Sequence, residues 1–358
     1  MKIKLIFSSA LFGLLIAVIA CNFSGESSKS GVKITPEQRA QIEQVGILHN
    51  KGLDFVINDL MNEKIRLFEE SGSNPQTRSS SGGAFPETFD FEQVVRNSTE
   101  NFMKTADMEL EDDFFDKVMP ITRISAFTRS SAEERDAEIM EVLTPFQQEY
   151  YNRIMDVVYR KGMTLELLRK EFAKLDEEII RKAPTAEEAE QLLIATSIGV
   201  NSGEYWTENL MKWNTILNSR IVRAIDPSED LYWEIMGGAV TRSDSVSGSG
   251  PTINLYLPHP NHNGYFIMIT PEGALFLQEC PAGLIYRPEL CTCDWPKPDE
   301  EPSGSSNPSD LQDVVDLLAV DLAAATWGLW GGPKAALGAG LGSSACAGIY
   351  QLIKNWWF

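Results

Sequence analysis

Residues 35–60 read TPEQRAQIEQVGILHNKGLDFVINDL, and this stretch decides the fold class. Thr35 suits a helix N-cap, Pro36 the first helical position, and Gln38 the reciprocal capping-box position. Ile42, Val45, Leu48, Leu53, Val56, Ile57 and Leu60 then recur at helical spacing, which predicts one buried face. The same texture continues downstream, with predicted helices at 91–107, 132–159, 164–181, 185–198 and 204–225. Each starts near a Ser, Thr, Asp or Asn, and strand-like alternation is absent. The expected fold is therefore mainly α, with an irregular helical domain over 35–235. A Ser/Gly-rich loop interrupts it at 71–86, through Ser79-Ser80-Ser81-Gly82-Gly83.

The N-terminus reads as an export signal. Lys2 and Lys4 form a basic head, and Leu5 to Ile19 form an apolar run that is short for a membrane span. Val18-Ile19-Ala20-Cys21 resembles the lipobox of bacterial lipoproteins, although Leu is commoner than Val at its first position. The resemblance implies a signal peptide over 1–20, lipidation at Cys21 and anchoring to the cell envelope, at the outer membrane or cell surface. Residues 21–34 include a Ser/Gly-rich run and read as a flexible tether.

Bulk composition narrows the function. The chain has 358 residues, a formal net charge of −20 and five cysteines. So acidic a chain repels phosphate backbones, which argues against nucleic acid as a partner. No nucleophile elbow, P-loop or dinucleotide fingerprint is present, so no enzyme activity, cofactor or metal is expected. His49 is the lone histidine of the helical region and reads as a hydrogen-bonded structural residue. The cluster Asp176-Glu177-Glu178 reads as a solvated helix face.

Beyond Gly237-Gly238 the texture becomes β-rich. Thr252 to Tyr256, Gly264 to Thr270 and Ala274 to Gln278 alternate as strands, with Pro271-Glu272-Gly273 as a hairpin turn. The stretch that follows contains Cys280, Pro281, Gly283, Leu284 and Tyr286, then Cys293-Asp294-Trp295-Pro296. These residues, in that order, resemble the second half of the peritrophin-A type chitin-binding family (carbohydrate-binding module family 14). Upstream, Leu257-Pro258-His259-Pro260 and Tyr265-Phe266 sit where that family has its first strand. The likeness covers about 252–298, within a β module expected over 236–298.

The resemblance implies a bridge between Cys280 and Cys293, worth about 3 kcal/mol by loop entropy. It also implies a carbohydrate-binding surface with Tyr265, Tyr286 and Trp295 as stacking rings and Asp294 or Asn263 as polar partners. Chitin-like or other glycans are the implied ligands. The sequence departs from the family in lacking its other cysteines, with none near Asn261-His262 or Met268, and in the extra Cys291. A module kept as a structural or protein-binding element is the other reading, because fold does not guarantee function.

A linker over 299–309 leads to a helical hairpin over 310–358. Small residues recur at every fourth position: Gly328, Gly332, Ala336, Gly340, Ser344 and Gly348. Such spacing allows close helix packing. Ala335 to Ile353 carry no charge, and Trp356-Trp357 follow. Three outcomes stay open: packing within the protein, assembly with a second copy, or membrane insertion. A membrane-active or self-assembling protein working through this hairpin is the alternative to a glycan-binding one.

Overall fold

The structure is a computed structural model. It describes residues 31–72, 85–86, 88–108, 110–111, 113–115, 139–232, 235, 255–270, 273–281, 284–288, 292–294, 314–328 and 332–357. The signal, Cys21, tether residues 22–30, loop residues 73–84, Cys291, Trp295 and the linker lie outside these residues; the end of the expected tether is described, and there Val32 N–H donates to Ile180 O at 2.9 Å.

The fold is mainly α with a small antiparallel sheet. Its helices are α1 (Pro36–Gly72), α2 (Phe91–Thr105), α3 (Pro145–Val158), α4 (Leu165–Lys182), α5 (Ala186–Asn218), α6 (Val315–Gly328) and α7 (Gly332–Trp357). The strands are β1 (Arg220–Ile225), β2 (Leu255–Pro258), β3 (Tyr265–Ile269), β4 (Leu275–Glu279), β5 (Ile285–Arg287) and β6 (Thr292–Asp294). Two compact units divide the chain. One takes Met1–Val56, Phe91–Thr207 and Asn307–Tyr350, and the other takes Ile57–Asp90, Glu208–Ser306 and Gln351–Phe358.

Helix starts follow their caps. Thr35 N–H donates to Gln38 Oε1 at 3.0 Å, and Gln38 N–H donates to Thr35 Oγ1 at 3.2 Å, closing the expected box. Thr144 and Gln147 form a second box, with Pro145 at the first helical position. This box corrects the single helix expected over 132–159. Helical residues 139–142 end before Thr144, and α3 begins afresh at Pro145.

Two further corrections concern residues 185–225. The expected break near residue 200 is absent, because α5 runs unbroken through Gly199 and Gly203. Residues 220–225, expected to be helical, form β1 instead. The backbone leaves the helix at Ser219, and β1 pairs antiparallel with β4, with Arg220 opposite Glu279 and Ile225 opposite Leu275. Ile221 lies opposite Gln278 and Ile225 opposite Leu275, so across the irregularity between Ile221 and Arg223 the strand buries one isoleucine on each face of the sheet.

The sheet order is β1-β4-β3-β2. One face carries Ile225, Ile267, Leu275 and Leu277, which cluster with Ile235. The opposite face carries Phe266, Met268, Phe276 and Gln278, all buried. It packs on the C-terminal half of α1, where Phe276 meets Phe68 edge-on at 6.4 Å between ring centroids. Residues 57–72 and 208–218 therefore belong with the sheet, so a helical domain over 35–235 and a separate β module over 236–298 do not describe the molecule. Between β3 and β4, Gly273 adopts φ +86 and its N–H donates to Thr270 O at 2.9 Å, while Pro271 and Glu272 of the expected turn lie outside the described residues.

The C-terminal hairpin is not a separate domain. Most of α6 and α7 is buried. Leu341 lies against Gly52 of α1, and Leu322 lies against Gly199 of α5. Among the described residues, no helix is long and apolar enough to cross a membrane.

Candidate functional site

Two places gather polar or aromatic groups beyond what packing needs. One is the edge of the sheet module, and the other is a buried polar layer in the helical unit.

At the module, Cys280 and Cys293 form the implied disulfide. It ties the end of β4 to β6, and Cys293 N–H donates to Thr215 Oγ1 on α5 at 2.8 Å. The hairpin β5–β6 pairs Tyr286 with Cys293. Tyr286 is only 5% exposed, and its ring stacks on Phe266 at 4.9 Å and 17°. This corrects its expected role. A ring covered on one face by Phe266 and otherwise buried offers no face to a sugar. Asp294 ends β6, and its side chain and all of Trp295 fall outside what is described.

Tyr265 and Asn263 fare differently. Asn263 is exposed at the β2–β3 loop, and Tyr265 is half-buried at the start of β3. The Tyr265 hydroxyl donates to Glu279 Oε1 at 3.3 Å, and Glu279 also pairs with Arg220. The structure brings two histidines to the same place. His259 and His262 lie 5.0 Å apart by ring centroids, and their rings are 6.4 and 6.0 Å from that of Tyr265. The sequence alone assigns no role to His259 or His262. The signal available was three ring residues within a seven-residue loop that also holds Asn261 and Asn263.

The buried layer joins α1, α5, α6 and α7. Asp321 on α6 accepts a hydrogen bond from Ser202 on α5 through Oδ2. Burial pushes its carboxyl up to about 7, against the smaller opposing pull of Ser202, Ser344 and Trp206. Its Oδ1 has no well-formed hydrogen bond among the described residues. Trp206 Nε1 donates to Ser344 Oγ at 3.0 Å. His49 is buried beside Gly340, with Nδ1 3.3 Å from Asn50 Oδ1. Burial lowers His49 to about 4, so the imidazole is neutral at pH 7. Asn50 in turn donates to Asn201 O at 2.9 Å. The structural reading of His49 fits this enclosed setting.

The small-residue stripe has three distinct uses. A side chain at Gly328 would collide with the backbone of Ala335 and Ala336, so that glycine sets the closeness of α6 to α7. A side chain at Gly348 would collide with the Trp206 ring. Gly340 has only ordinary contacts, at 3.6 Å or more, and Gly332 serves the turn with φ +79. Ala336 and Ser344 are buried.

The acidic cluster is less uniform than expected. Asp176 is a correction: it is not on a solvated face. Burial raises it to about 6, and it accepts a 2.7 Å bond from Thr196 Oγ1. Glu178 is held well below the usual carboxylate range by Arg153 and then Lys182. A groove of about 320 Å³ lies alongside α3 and α4, with Arg153, Arg160, Lys174, Glu171 and Glu178 in its wall. Its cations are each committed to a carboxylate, Arg153 to Glu178 and both Arg160 and Lys174 to Glu171. Among the described residues, no three His, Cys, Asp or Glu side chains are placed to hold a metal ion.

Fold and site together define a mainly α protein carrying a disulfide-closed β module. Comparison with family models, with curated proteins and with solved structures found no match for this chain.

Proposed function

We propose that this chain is a cell-envelope protein, exported by its N-terminal signal and held by lipid on Cys21, that binds carbohydrate through its β module. The observation that carries the proposal is Tyr265. Its ring is half-exposed at the module edge, and its hydroxyl is oriented by Glu279. A fixed aromatic ring beside an exposed amide, here Asn263, is the chemistry that receives a sugar: C–H groups stack on the ring and hydroxyls bond the amide. The Cys280–Cys293 bridge and the ordered likeness over 252–298 support the same reading.

The residues behind the alternative reading, the small-residue stripe, are taken up in packing against Trp206 and between α6 and α7. That use favours the glycan-binding reading over one that works through a freed hairpin. A glycan array probed with the full chain tests the proposal. Binding to a defined set of sugars is expected, and a blank array would reject it.

A further inference from the structure

We propose that the β2–β3 loop holds the terminal ring of a neutral glycan chain on the cluster formed by His259, His262 and Tyr265. This rests on the carbohydrate-binding reading above, and it places the contact on the loop beside the Cys280–Pro296 motif rather than on the motif's own rings.

The loop is built rigidly. His259 N–H donates to Tyr265 O at 3.3 Å, and Tyr265 N–H donates to His262 O at 3.2 Å. Cys280 N–H donates to Gly264 O at 2.9 Å, and Tyr286 N–H donates to Asn263 O at 2.6 Å. Asn261 N–H donates to His259 Nδ1 at 3.1 Å, which orients that imidazole and leaves its Nε2 to carry the proton in the neutral ring. A pinned loop binds without a large ordering cost.

The aromatic side chains of the strands divide sharply. Tyr256, Phe266, Phe276 and Tyr286 are core residues, none more than 8% exposed. His262 is exposed, while His259 and Tyr265 are half-buried. Asn261 and Asn263, both exposed, flank His262 and supply amide donors and acceptors.

Ring geometry selects the ligand's shape. The three rings are inclined to one another by 47°, 61° and 69°. They share no flat face, so an extended polysaccharide ribbon cannot lie across all three. A single ring at a chain end can rest on one of them and touch another edge-on. A protein partner would need about 800 Å² of matching surface on each side, far more than three rings and two amides provide. Residues 259–264 hold no Lys or Arg, and the nearby Arg220 is paired with Glu279, so the loop offers little to an acidic sugar.

The test is titration of the full chain with a neutral oligosaccharide series from disaccharide to hexasaccharide, alongside an insoluble polysaccharide of the same sugar. The sugar is taken from the array. Affinity is expected to level off within about twofold beyond the trisaccharide. His262→Ala is expected to weaken binding by about five- to tenfold at unchanged melting temperature, matching the loss of one aromatic contact. Tyr265→Phe keeps the ring and is expected to stay within about threefold of the parent. Affinity that keeps rising with chain length, or that ignores His262→Ala, overturns the loop as the contact while leaving carbohydrate binding intact. If the parent chain binds no sugar at all, both readings fall.

Discussion

Trp206 donates its indole N–H to Ser344 Oγ at 3.0 Å, and its ring lies against the Cα side of Gly348 one turn further on. This relationship docks α7 on α5 through one polar and one steric contact. It predicts that Gly348→Leu is destabilising by about 1–3 kcal/mol, because the core there has no room for a side chain. Gly340→Ala is expected to be neutral or stabilising by up to about 1 kcal/mol, since its neighbours lie at ordinary distances and alanine suits a helix interior better than glycine. Urea denaturation of the two variants checks the contrast.

Asp321 makes stability depend on pH in a definite direction. Its folded-state carboxyl is raised to about 7 from 3.8. The fold therefore favours the protonated form, and this contribution is complete below pH 4 and is lost as pH rises towards 7. The loss amounts to an order of 4 kcal/mol at most. Asp321→Asn removes it, so the variant should gain on the parent steadily between pH 4 and 7 and hold a constant lead above. Denaturation midpoints across that window measure the difference.

His49 acts with the opposite sign. Burial lowers it to about 4 from 6.5, so its contribution is present above pH 6.5 and is lost as pH falls through 4. Between pH 4 and 6.5 it offsets Asp321. The Asp321→Asn variant should therefore show an acid-side loss of stability that the parent masks, which the same pH series reports.

Lys64 is fully enclosed, and its ammonium donates to Ile216 O at 2.6 Å, to Ser219 O and to Ser219 Oγ. These acceptors close the end of α5 where the chain turns into β1. Lys64→Met strands buried oxygens and is expected to cost about 1–3 kcal/mol at pH 6. Burial lowers Lys64 to about 7 from 10.5, so in the parent this residue adds stability as pH rises from 7 to 10.5, and the variant loses that rise. Guanidinium midpoints at pH 6 and 9 test both parts.

Local signals in the sequence were readable wherever the residues concerned act on their neighbours. Thr35 and Gln38 announce their own helix start, and Gly273 its turn. Thr144-Pro145 carried the same kind of signal, but the surrounding apolar spacing concealed it. Strand β1 was hidden because its partner β4 lies fifty or more residues away, and only that pairing shows that Ile221 and Ile225 are buried on opposite faces of the sheet. For the candidate site, Tyr265 and Asn263 were legible as surface residues, whereas Tyr286 was not legible as a core one. Its burial depends on Phe266, which reaches it across the module rather than along the chain. The pairing of His259 with His262 likewise needed the loop's closure, which sequence spacing alone does not specify.

The disulfide should matter to the module's stability. Cys280→Ser with Cys293→Ser opens a loop of 13 residues and is expected to cost about 3 kcal/mol. Thermal unfolding followed by the near-ultraviolet signal of the aromatic side chains reports it.

Carbohydrate binding at the module edge is the central claim, and calorimetric titration of the full chain against Tyr265→Ala tests it most directly. Saturable heat with a neutral oligosaccharide is expected for the parent, and loss of that heat in a variant that is still folded at the temperature of titration. Equal heats for parent and variant, or none for the parent, would contradict it.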